Sequence, residues 1–124
     1  MYIKRTLEEQ IKKLSGFFPV VLVTGPRQVG KTTVLKNCDP KERKYVTLDV
    51  LEDRMMAKNN PQLFLERYSA PVLIDEVQYA PELFPYIKAI VDQEQQPGMF
   101  WLTGSQQFHL MKNVTEVWRD GLAS

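Results

Sequence analysis

Eight consecutive residues, Gly25-Pro26-Arg27-Gln28-Val29-Gly30-Lys31-Thr32, fit the pattern G-x-x-x-x-G-K-[ST] at every position. Gly25 and Gly30 let a backbone curl until successive N–H groups converge on one set of phosphate oxygens. A helix opening at Lys31 adds the partial positive charge of its amino terminus. Lys31 brings a full positive charge within reach of the β- and γ-phosphates. The Thr32 hydroxyl supplies the hard oxygen that Mg²⁺ prefers. Arg27 and Gln28 sit inside the loop, where their side chains are either solvated or in contact with nucleotide. This spacing serves the binding of a nucleotide's phosphates with Mg²⁺ at Gly25, Pro26, Arg27, Gln28, Val29, Gly30, Lys31 and Thr32.

A second constellation is acidic. Asp75 and Glu76 follow the apolar run Val72-Leu73-Ile74, which puts them at the carboxyl end of a strand. Phosphoryl transfer to water has use for two carboxylates, one to hold the metal and one to orient and deprotonate the attacking water. Successive residues leaving a strand point in different directions, so neighbours can divide these tasks. Gln78 is placed to support the pair. Thr103-Gly104-Ser105-Gln106-Gln107 offers hydroxyls and amides after another apolar run. Thr103 and Ser105 are the expected sensors, hydrogen-bonded to the γ-phosphate or to the attacking water. The bland alternative for both segments is a solvated turn with polar caps; the upstream phosphate loop favours the functional one.

These groups need a scaffold that delivers them to one place. Ile3, Leu7, Ile11 and Leu14 recur at helical spacing, and Ser15-Gly16 stops that helix. Phe17 to Thr24 is apolar, β-branched and short, which predicts a buried strand ahead of the phosphate loop. Lys31 to Asn37 is predicted as the helix the loop feeds. Tyr45 to Asp49 is a second strand ending in acid. From Val50 to Tyr68 the pattern is helical in two pieces, broken where Asn60 caps and Pro61 opens the next turn. Pro71 to Asp75 and Met99 to Thr103 are further strands. Between them a helix opened by Pro81 carries Leu83, Ile87, Ile90 and Val91 on one side and ends at Gln96-Pro97-Gly98. Strands apolar throughout and separated by helices imply a parallel sheet covered on both faces. Ligands in such sheets bind beyond the carboxyl ends of the strands. Thr24, Asp49, Asp75 and Thr103 are therefore expected to gather on one edge.

Composition narrows the remaining options. The 124 residues suit one domain, with 44% hydrophobic residues to build its core. One cysteine, Cys38, leaves no internal disulfide and no multi-cysteine metal site. A net charge of +1 points to neither nucleic acid nor membrane. The apolar runs are far shorter than the ~20 residues that span a bilayer, and the amino terminus does not read as a signal peptide. A soluble, cytoplasmic protein is expected. His109 and Cys38 read as structural or solvated side chains, and Tyr79, Phe84 and Tyr86 as core more than partner surface.

The quoted motifs resemble those of prokaryotic ATPases with an AAA domain followed by a separate carboxyl-terminal domain. Phe18 to Thr33 is similar to the opening of that domain, Leu73 to Leu83 to its Walker B segment, and Leu102 to Phe108 to its sensor segment. The resemblance covers about Tyr2 to Glu116. It implies an α/β P-loop NTPase of the AAA type, a three-layer α/β/α arrangement on a mostly parallel sheet. Lys31 and Thr32 become nucleotide and metal contacts, Asp75 the metal carboxylate and Glu76 the catalytic base, with Lys31 beside it in catalysis. The resemblance extends the nucleotide contacts to Thr33 and makes the nucleotide ATP. Intact relatives hydrolyse ATP with Mg²⁺; a nucleotide-binding fragment without turnover is the alternative, and DNA association rests on analogy alone.

Past Glu116 the likeness stops. Relatives continue with something close to Ser-Leu-Ala-Gly-Arg and a last core strand, whereas this chain reads Val117-Trp118-Arg119-Asp120-Gly121-Leu122-Ala123-Ser124. One codon spelling of Glu-Ser-Leu-Ala-Gly-Arg-Ala-Gly-Ile, with a single A deleted, becomes Glu-Val-Trp-Arg-Asp-Gly-Leu-Ala-Ser. The expectation is a domain over residues 1–116 and an out-of-frame tail over 117–124. The last core strand would then be missing, leaving Phe17 to Thr24 as an exposed edge open to self-association. Sequencing the DNA after codon 116 checks this: a shifted frame should restore family-like sequence, and its failure to do so removes the idea.

Overall fold

Four apolar runs become adjacent parallel strands in the computed structural model, which describes residues 9, 11–24, 43–104 and 122–123. In chain order the described elements are α1 (residues 11–15), β1 (Val20–Thr24), β2 (Lys44–Thr47), α2 (Leu51–Asn59) and α3 (Pro61–Arg67). They continue with β3 (Val72–Asp75), a 3-10 turn (Val77–Tyr79), α4 (Leu83–Glu94), β4 (Phe100–Gly104) and the two-residue β5 (Leu122–Ala123). The strand order is β2-β3-β4-β1-β5, and every pairing is parallel.

Period-two alternation splits the strands' side chains between two cores. On one face Val20, Leu22, Val46, Val72, Ile74, Phe100 and Leu102 pack with Ala57 of α2, Phe64 and Leu65 of α3, and Leu83, Phe84, Ile87 and Val91 of α4. On the other, Val21, Val23, Leu73 and Trp101 pack with Ile11 and Leu14 of α1. Helices on both faces of a parallel sheet are the layered α/β architecture expected from the sequence. Asn60 caps α3 as expected, its side chain accepting from the Leu63 amide at 3.2 Å, with Pro61 in the first turn. Phe84 is buried in the core, whereas Tyr86 is exposed and Tyr79 half-buried.

Several expected boundaries move. β1 begins at Val20 rather than Phe17, because the amides ahead of it serve α1 instead of the sheet. Phe17 and Phe18 both donate to the Leu14 carbonyl, at 3.1 and 2.8 Å, and Phe17 is left exposed. β2 stops at Thr47, so Asp49 stands in the turn beyond it. α4 starts at Leu83, with Pro81 and Glu82 in the preceding turn. The expected open edge is corrected in part: β5 pairs with β1 at Leu22 and Val23, on the edge the sequence reading left uncovered. Residues 122–123 sit inside the stretch read as off-family tail, so a segment as short as two residues supplies pairing there.

At the opposite end of the strands Gly98 closes the structure. Its φ of +71° lies in the left-handed region, its amide donates to the Phe18 carbonyl at 2.9 Å, and a Cβ there would come within 2.7 Å of Ser15 Oγ. That same hydroxyl accepts from Trp101 Nε1 at 2.9 Å, while the Arg43 guanidinium lies 4.0 Å over the Trp101 ring. Gly98→Ala is therefore expected to lower stability by about 1–3 kcal/mol through strained backbone and a displaced Ser15. Chemical denaturation of the two proteins measures it.

Candidate functional site

β3 ends between two threonines. The β2–β3 register sets Thr47 opposite Asp75, and β4 follows on the other side with Ile74 opposite Leu102, so Thr103 falls next to Asp75. Thr47 Oγ1 donates to Asp75 Oδ2 at 3.0 Å, and Thr103 Oγ1 donates to Asp75 Oδ1. Each threonine hydroxyl also accepts a backbone N–H from a further acidic residue. Thr47 takes that of Asp49 at 3.2 Å, and Thr103 takes that of Glu76 at 3.0 Å. Asp75, Glu76 and Thr103 are all more than nine-tenths buried. A carboxylate is costly to bury without hydrogen bonds or a counter-charge; here both Asp75 oxygens have donors.

Tyr45 stands two residues before Thr47, on the same side of β2, and its hydroxyl donates to Asp75 Oδ2 at 3.5 Å. Burial raises the Tyr45 phenol above its ordinary value, and the negative Asp75 pushes the same way. A raised phenol keeps its stabilising contribution below the ordinary phenol range and loses it as pH climbs through the folded-state value.

Glu76 leaves the strand in the left-handed conformation, φ 58° and ψ 47°, and caps the 3-10 turn that follows. Gln78 Nε2, in that turn, donates to Glu76 Oε1 at 2.8 Å. Helix α2 fixes the surroundings. Arg54 Nε donates to the Leu48 carbonyl at 2.9 Å, and its guanidinium lies 4.0 Å over the Tyr79 ring. One arginine so ties the loop carrying Asp49 to the turn carrying Gln78.

One carboxylate oxygen from each of Asp49, Asp75 and Glu76 lies within 4.8 Å of the other two, Asp49 exposed and the other two residues buried. This hard-oxygen set fits Mg²⁺ in chemistry, and a divalent cation would relieve the mutual repulsion of three acids. Asp49, Asp75 and Thr103 do gather on one edge as expected. Thr24 reaches the same edge through its backbone, pairing with Gly104. The remaining expected site residues, Gly25, Pro26, Arg27, Gln28, Val29, Gly30, Lys31, Thr32, Thr33 and Ser105, lie outside the described residues, as do Cys38 and His109. Sequence reasoning missed Thr47 and Tyr45. Their alternation in Tyr45-Val46-Thr47 was visible, but their register against Asp75 was not.

Thr103→Val keeps shape while taking the β4 donor from Asp75 and the acceptor from the Glu76 amide. An expected loss of about 1–3 kcal/mol follows for groups this buried, with Thr103→Ser losing distinctly less. Urea unfolding of both variants reads the difference.

A family model described as "AAA domain" matches residues 18–121, running past Glu116 where the sequence reading ended its resemblance. The chain is 42% identical over 115 residues to uncharacterized protein Rv2008c of Mycobacterium tuberculosis and, equally, to uncharacterized protein Mb2031c of Mycobacterium bovis. Those alignments cover 91% of this chain and 26% of each relative, so the chain spans about a quarter of the length of the curated relatives it matches. No solved structure matches it significantly. No helix among the described residues is long and apolar enough to cross a membrane. With a parallel α/β sheet whose order is β2-β3-β4-β1-β5 and a family match over most of its length, this chain belongs to the AAA-domain family of P-loop ATPases.

Proposed function

We propose that the chain binds Mg-ATP on the loop from Gly25 to Thr33 and hydrolyses it to ADP and phosphate. The observation that carries the proposal is the buried Asp75–Glu76 pair at the carboxyl end of β3, held by hydroxyls from both flanking strands. Gly25 directly follows β1, whose last residue pairs with the end of β4, so the glycine loop departs from the edge that carries the acids. That is the edge where parallel α/β sheets bind ligands.

In this reading the backbone amides of the loop and the Lys31 ammonium hold the phosphates. Asp75 and the Thr32 hydroxyl would hold Mg²⁺, which when bound neutralises charge on the phosphates. Glu76 orients the attacking water and accepts its proton as the oxygen bonds to the γ-phosphorus and the bond to the bridging oxygen breaks, ADP leaving with that oxygen. The Thr47 and Thr103 hydrogen bonds keep Asp75 in one orientation, so little ordering remains to be done when ligand arrives. Ser105 is the remaining candidate for contact with the γ-phosphate. Thr103 contributes from one layer deeper, since its hydroxyl already serves Asp75 and Glu76.

The test separates binding from turnover. Mg-ATP is expected to raise the melting temperature of the purified chain, and Lys31→Ala to abolish that shift. Phosphate release is expected to fall ~10²–10⁴-fold in Glu76→Gln, the range for loss of a general base, with Mg-ATP binding retained. Binding without any phosphate release would assign a nucleotide-binding function alone. Absence of both overturns the proposal.

A further inference from the structure

Glu76 is bound to a partner that the water-activating reading does not itself require. Gln78 Nε2 donates to Glu76 Oε1 at 2.8 Å from only two residues further along the chain. In an extended strand residues two apart share a face about 6.6 Å apart along it. The backbone makes the contact by turning: Glu76 adopts the left-handed conformation, and the Tyr79 and Ala80 amides donate back to the carbonyls of Glu76 and Val77 at 3.2 and 3.0 Å. Val77 is fully buried, and the Arg54 guanidinium covers the Tyr79 ring. The donor is therefore carried on a turn anchored on both sides of Gln78.

We infer that Gln78 is a positioning residue for Glu76, fixing one carboxylate oxygen and with it the orientation of the group toward the attacking water. This deepens the proposed function and rests on Glu76 acting as the base. A glutamate has three side-chain torsions, and a charge-assisted hydrogen bond to one oxygen removes most of that freedom. Misplacing a reacting group by about 1 Å can cost ~10²-fold in rate, so the contribution should appear in kcat and leave nucleotide affinity alone.

Gln78→Met keeps length and volume but cannot donate; Gln78→Glu keeps length and polarity but presents an acceptor. Both are expected to lower kcat for Mg-ATP hydrolysis ~10-fold or more with KM and the Mg-ATP dissociation constant unchanged. In a Glu76→Gln background the same changes should cause no further loss, since there is no base left to position. Unchanged kcat in both Gln78 variants overturns the assignment, as does an equal loss in the two backgrounds, which would mark Gln78 as a fold residue only. Undiminished turnover in Glu76→Gln alone, or a parent chain without turnover, instead overturns the reading of Glu76, and the role of Gln78 falls with it.

Discussion

The described half of the site depends on burying one carboxylate with a hydrogen bond to each of its oxygens. Asp75 is nine-tenths buried between two strands, where an ionised group without partners would cost several kcal/mol. Thr47 and Thr103 answer this from opposite sides, each giving its proton to one Asp75 oxygen. Because a hydroxyl both donates and accepts, each threonine also takes a backbone N–H, from Asp49 on one side and Glu76 on the other. Three acidic residues are thus fixed relative to one another by two hydroxyls. Replacing either threonine by valine would preserve packing and break this arithmetic.

Sheet topology makes the arrangement possible. Parallel strands put all carboxyl ends on one edge, and the order β2-β3-β4 sets Asp75 on the middle one of three strands. Alternation then does the sorting. On β3, Val72 and Ile74 enter the larger core, while Leu73 enters the smaller one and Asp75 follows it on the same face. The side that carries the acid is the side covered by the small cluster of Ile11, Leu14 and Trp101. The apolar bulk of α2, α3 and α4 lies behind, on the other side. The acidic group and the larger apolar core thus occupy different faces of the same sheet.

Much of this was legible in the sequence. The apolar runs gave the strands, Asn60-Pro61 gave the break between α2 and α3, and the gathering of Asp49, Asp75 and Thr103 followed from their positions at strand ends. What escaped was set by register and by hydrogen-bond competition. Nothing local to Thr47 says that it lies opposite Asp75, since that depends on which strands are neighbours. The start of β1 was misjudged because Phe17 and Phe18 look like strand residues, yet their amides are spent on closing α1. The pairing of Leu122 and Ala123 with β1 was missed for a different reason. A two-residue strand carries no periodic signal, and only its partner reveals it.

The backbone at Glu76 shows a conflict between stability and position. A non-glycine residue in the left-handed region costs about 1–2 kcal/mol, and glycine would remove that cost. Glycine would also remove the carboxylate, the Gln78 hydrogen bond and the third member of the acidic group. An extended backbone at residue 76 would relieve the strain equally well, but would carry the side chain along the strand direction and forfeit the 3-10 turn that begins there. Adjacent acids on a continuing strand would point to opposite faces, one of them into the large apolar core. The left-handed turn instead keeps both carboxylates on the same side of the molecule, within 4.8 Å of each other and of Asp49. Local strain at this residue is thus the condition for the two acids to stand side by side.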